Sequence, residues 1–148
     1  MLKKDMLYNW EELGLPSTVN FKSKITLEDV EYTLKETNEY GLSFLFERDQ
    51  IVSGGLLNKK QEDCLIVKNA EFPTGYFYFI FTIFNVGAGS TLKIYRSGIS
   101  KNTAQKQKKE SRGLIAGALT QVDEQGLEAE YTYYNLVVQT IMNGFEIR

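Results

Sequence analysis

The chain has 148 residues and a net charge of −2, and its content is 43% hydrophobic, 13% aromatic and 24% charged. That balance excludes a disordered chain and lets one domain, 1–148, bury a core without metals or disulfides. With no histidine and one cysteine, His-based acid/base and nucleophilic catalysis, His-containing metal sites, a disulfide framework and Cys-x-x-Cys motifs are also excluded. The small net charge supplies no whole-molecule field toward nucleic acid or an anionic membrane, so any such claim must rest on a local patch.

Leu2, Met6, Trp10 and Leu13 recur at helical spacing, and Gly14 and Pro16 follow as stop signals, which predicts a first helix near 2–13. Residues 15–24 read as a polar connector. The second helix has a sharper signature: Thr26 as N-cap, Asp29 at the third helical position, and Ile25 and Val30 placed as a staple. Leu27, Val30 and Leu34 then form its apolar stripe, and Gly41 is the expected stop.

From Leu42 to Ile99 the period falls to about 2, with candidate strands at 42–47, 50–57, 63–69, 76–86 and 91–97. Connections this short favour an antiparallel meander. The run 76–86, Tyr-Phe-Tyr-Phe-Ile-Phe-Thr-Ile-Phe-Asn-Val, is apolar at nearly every position, and that predicts a central strand covered on both faces. It is about half the roughly 20 apolar residues that a spanning helix needs. The N-terminus carries no apolar leader segment, and the expected compartment is the cytoplasm. Gly87-Ala88-Gly89 and Ser53-Gly54-Gly55 read as turns rather than phosphate-binding loops, because neither is followed by the remaining glycine or Lys-Ser/Thr of such motifs.

Residues 101–112 contain five cations and one anion with no large apolar side chain, which describes a loop, an arm or the exposed first half of a helix. Leu114, Ile115, Ala118, Leu119 and Val122 then predict a helix over 112–124. In the last segment Leu127, Ala129, Tyr131 and Tyr133 alternate like a strand. A longer helical stripe through Leu127, Tyr131, Tyr134, Val138, Ile141, Met142 and Phe145 favours a helix over 127–143, ending at Asn143-Gly144. The expected fold is therefore α+β: a five-stranded antiparallel meander with two helices before it and two after it.

No stretch carries a family motif. Asp123, Glu124, Glu128 and Glu130 form the tightest acidic group, and they are better read as charges favoured at a helix N-terminus than as an acid/base pair or a hard-cation site. Cys64, in a strand of apolar neighbours, reads as a buried, inert thiol. Tyr76, Tyr78, Tyr131, Tyr133 and Tyr134 read as core before pocket. The main non-core feature is Lys101, Lys106, Lys108, Lys109 and Arg112, which with Glu110 carry +4 against −6 for the remainder. No aromatic is interleaved for base stacking, so the favoured partner is an acidic protein face and not nucleic acid. The sequence thus suggests a non-catalytic interaction protein with no cofactor, metal or membrane span. Behind it stand a carrier of a small apolar ligand between the C-terminal helix and the sheet, and, more weakly, a carboxylate- or metal-dependent enzyme.

Overall fold

The computed structural model describes residues 1–98, 100–111 and 123–146 and is α+β, a curled mixed sheet flanked by helices. In chain order the elements are β1 (Leu2–Lys3), β2 (Tyr8–Asn9), β3 (Thr18–Phe21), α1 (Leu27–Glu36), β4 (Phe44–Ser53), β5 (Lys60–Asn69), β6 (Tyr78–Val86), β7 (Gly89–Ser97), α2 (Lys101–Ser111) and α3 (Glu124–Glu146). Short 3-10 turns occupy Lys4–Met6 and Glu11–Leu13.

From β4 to β7 the sheet is the expected antiparallel meander, with the tight turn at Gly87-Ala88 joining Val86 to its partner Gly89. The strands expected at 42–47 and 50–57 are one strand. Arg48, Asp49 and Gln50 look like a break because they are polar on both faces, yet backbone pairing needs no apolar side chain, and they stay in register with Leu65, Cys64 and Asp63. The sheet as a whole is not a five-stranded meander. Its order is β1-β4-β5-β6-β7-β2, with β3 also on β7 and β1 parallel to β4.

The N-terminal helix expected over 2–13 is absent; two short strands, β1 and β2, and the two 3-10 turns stand in its place, and β3 lies within the stretch 15–24 expected to be a connector. Leu2 and Leu7 pack on one face of the sheet and Trp10 is buried on the other, while Met6 is 66% exposed. Apolar residues that serve two faces of a sheet cannot be one helical stripe. A twelve-residue helix is marginal on its own, whereas the two open sheet edges offer unpaired backbone groups. On the C-terminal side two helices are described, α2 and α3, while the helix expected over 112–124 falls on residues outside the described ones except at its end.

α1 begins as the sequence indicates, with the Thr26 hydroxyl accepting from Asp29 N–H and the Asp29 carboxylate accepting from Thr26 N–H. It stops at Glu36, earlier than Gly41. α3 runs three residues past the expected end at 143 because Gly144 is a contact residue instead of a stop: a side chain there would run into Thr33 and Thr37 of α1.

The four residues Lys4–Leu7 carry the chain from β1 on one edge to β2 on the other. Across a flat sheet the two strands would be about five spacings, or roughly 24 Å, apart. Five extended Cα steps reach only about 17 Å, so the sheet must curl. On one face α1 and α3 cover Leu65, Val67, Phe79, Phe81, Leu92 and Ile94, with Trp10 stacked on Phe79 at 4.2 Å. On the other, Ile51, Cys64, Ile66 and Ile80 are covered by Leu2, Leu7, Tyr78 and Tyr95.

The central strand is covered on both faces from Phe79 to Thr82, but Phe84 to Val86 are exposed. There β5 and β6 part. Their register spans Leu65–Val67 against Phe79–Phe81, and beyond it the β4–β5 ribbon continues without β6 as an arm, with β1 alongside β4 at Ile51 and Val52. An open cleft of about 620 Å³ lies between this arm and β6, bordered by Arg48, Asp63, Cys64, Ile83 and Asn85.

Phe79 is fully buried in the ring cluster, so Phe79→Ala should cost about 3–5 kcal/mol in denaturant unfolding; a loss under about 1 kcal/mol would contradict its central place. Burial, followed by the charge of Asp49, raises the Cys64 thiol from 9.0 to about 11. The unfolded chain therefore ionises first, and stability present below pH 9 should fall as pH rises through 9 to 11. Unfolding of Cys64→Ala across that window should show a shallower fall.

Candidate functional site

Lysine, glutamine and alanine favour helix over 101–111, yet α2 lacks the apolar stripe by which helices usually dock. Its position is fixed by polar groups at its start. Ser100 caps it, its Oγ accepting from Thr103 N–H at 3.1 Å, and Lys101 N–H donates to the Gly75 carbonyl at 2.9 Å.

Ser100 Oγ also donates to the carboxylate of Glu130 on α3, 2.6 Å from each oxygen. Glu130 is at 0% exposure, an expensive location for a carboxylate without compensating donors. It receives Tyr134 Oη at 2.8 Å, Asn102 Nδ2 at 3.3 Å and Thr103 Oγ1 at 3.4 Å. Tyr134 in turn accepts from Phe77 N–H at 2.7 Å. Burial, followed by the charge of Glu130, pushes the Tyr134 phenol well above its usual range, so it stays a proton donor toward the carboxylate. A continuous network thus runs from the β5–β6 connection through α3 to the first turn of α2.

Of the four acidic residues singled out by sequence, Asp123 caps α3, its Oδ1 accepting from Gly126 N–H at 2.9 Å, and Glu124 and Glu128 lie exposed in the first turns. Glu130 is different in kind. It sits four residues before Tyr134 and eleven before Ile141, on the buried side of the helix, and that periodicity was the available signal. Ser100, Asn102 and Thr103 gave none, because a hydroxyl or amide beside a lysine-rich run looks like ordinary polar surface.

The structure brings Lys101, Lys106, Lys108 and Lys109 together on α2, all exposed; Arg112 lies outside the described residues. At about 100° per residue the four lysines span a sector of about 160°, with the buried Thr103 beyond its margin. The tyrosines are mostly core: Tyr76, Tyr133 and Tyr134 are buried, with Tyr76 stacked on Phe72 at 4.8 Å and Tyr133 5.5 Å from Tyr76. Cys64 is buried in the opposite face, away from this network.

Comparison with protein families, curated proteins and solved structures gives no match. Among the described residues, no helix is long and apolar enough to cross a membrane, and no group of three or more Cys, Asp or Glu side chains converges as metal ligands would.

Glu130→Ala should lower stability by about 2–4 kcal/mol, because it leaves the Ser100 and Tyr134 hydroxyls without their acceptor. Hydrogen exchange should accelerate first in residues 101–111. Tyr134→Phe, which strands the Phe77 N–H, should cost about 1–3 kcal/mol by the same measurement.

Proposed function

We propose that the protein is a non-catalytic, cytoplasmic interaction protein that engages an acidic protein face through Lys101, Lys106, Lys108, Lys109 and Arg112. The observation that carries this reading is a helix that exposes four lysines and is held at its first turn by a buried polar network. A helix with no apolar face gains little from packing, so its fixed position is better explained by what it presents than by what it buries. Cations held at defined positions steer an acidic partner and select its register.

The absence of any aromatic along α2 favours a protein over single-stranded nucleic acid, whose bases need stacking platforms. Rings fill the space between α3 and the sheet, with Tyr134 4.8 Å from Trp10 and 5.9 Å from Phe79. This favours an interaction protein over a carrier of an apolar ligand.

Replacing Lys106, Lys108 and Lys109 with Glu should change stability by under about 1 kcal/mol per site, read as a small shift in the melting temperature. Association with an acidic partner should slow and lose its salt sensitivity. Equal recovery of the same partners by wild type and variant, at low and moderate salt, would count against the reading.

A further inference from the structure

The β4–β5 arm ends in the loop 54–59, where Leu56 and Leu57 have relative exposures of 105% and 97%. They are not stray surface residues. Asn58 N–H donates to the Gly55 carbonyl at 3.2 Å, so the two leucines occupy the central positions of a turn, where Gly, Asn or Asp would ordinarily stand. The loop is closed tightly beneath them. Gly54 has φ 85, and a side chain there would run into the Asn58 carbonyl.

Cations surround this apex. Lys59 and Lys60 lie on its descending side, both exposed. On the ascending side β1 places Lys3 opposite Val52, and Lys4 borders the same recess as Val52, Ser53 and Gly54. The opposing charge at this recess is the exposed Asp5. An apolar point inside a collar of four ammonium groups is complementary to one kind of surface, a plane of phosphates with hydrocarbon beneath it.

We infer that the tip of the β4–β5 arm docks on an anionic lipid bilayer, with Leu56 and Leu57 entering the interface and Lys3, Lys4, Lys59 and Lys60 lying at the headgroups. A protein partner fits less well. A stable protein interface needs about 800 Å² from each side, and a convex two-residue tip offers far less, whereas interfacial insertion grows with each apolar side chain and each cation. The arm supplies reach, since beyond Leu65 the ribbon has left β6. α2 follows the end of β7, at the opposite end of the strands from this tip. Docking would therefore leave the lysines of α2 accessible, and this inference is independent of the function proposed above.

Flotation of the full chain with vesicles of equimolar phosphatidylcholine and phosphatidylglycerol, and with phosphatidylcholine alone, tests it. Wild type should float with the anionic vesicles and much less with the neutral ones. The double variant Leu56→Ser/Leu57→Ser, which touches no core contact, should lose binding by about tenfold or more, with an unchanged circular dichroism spectrum. Lys59→Gln/Lys60→Gln should weaken binding several-fold and flatten its salt dependence, while the Glu variant of Lys106, Lys108 and Lys109 should still float. The inference is overturned if the Leu56→Ser/Leu57→Ser protein floats as well as wild type, or if binding is lost with the α2 lysines instead. Self-association of wild type that the leucine variant lacks, without flotation, would assign the tip to a second copy of the chain and would equally overturn it.

Discussion

A carboxylate removed from water must be met by donors at every lone pair it keeps, and Glu130 meets this requirement with groups from separate parts of the chain. Ser100, Asn102 and Thr103 arrive from the junction of β7 and α2, and Tyr134 from the next turn of α3. Tyr134 is itself pinned by a backbone N–H before β6. An apolar residue at 130 would bury similar area but would accept any rotation of α3 that filled the space. The hydrogen bonds tolerate far less, so they specify how the helix is turned as well as where it lies.

That rotation sets the core. Glu130 and Tyr134 share a face of α3, and with Tyr134 fixed its ring meets Trp10 and stands near Phe77 and Phe79. Trp10 comes from the far edge of the sheet, stacks on Phe79, and donates its indole N–H to the Tyr95 carbonyl at 2.9 Å. Arg96 then fastens the same edge: its guanidinium lies 4.4 Å from the Phe77 ring centre and bonds Glu12 at 2.7 Å. The polar network and the aromatic stack are thus two ends of one assembly, joined at Tyr134.

The parts of this arrangement that were legible in sequence were those with a local cause. The capping box at Thr26 and Asp29, the strands expected at 63–69, 76–86 and 91–97 and the helical stripe of α3 are each written within a few turns of chain, and each appears in the structure, the strands with ends shifted by two or three residues. The first twenty residues misled because Leu2, Met6, Trp10 and Leu13 imitate a stripe, while their partners on β4 and β7 lie about 50 to 90 residues away. Distance in sequence hides pairing. The Glu130 network failed to show for a related reason: its donors at 100–103 are separated from their acceptor by nearly thirty residues, and hydroxyls look alike whether solvated or buried. The lysines were visible as a charge run, but their common helix was not, since a segment without apolar residues has no hydrophobic period to read.

Residues 2–21 occupy both edges of a sheet whose other strands are all made later. During synthesis β1 can join β4 after about fifty residues, but Tyr8 and Thr18 emerge well before Arg96 and Lys93, their partners on β7, so β2 and β3 have no native ladder to join until some seventy-five to ninety residues have followed them. Closing so long a loop is slow compared with zipping the hairpins of the meander. β2 and β3, among the first segments made, are accordingly the last strands able to join the sheet. Lys3, Lys4, Asp5, Glu11 and Glu12 give residues 2–21 the charged character that discourages premature strand pairing, and the arrival of β2 and β3 converts an open ribbon into a closed curl.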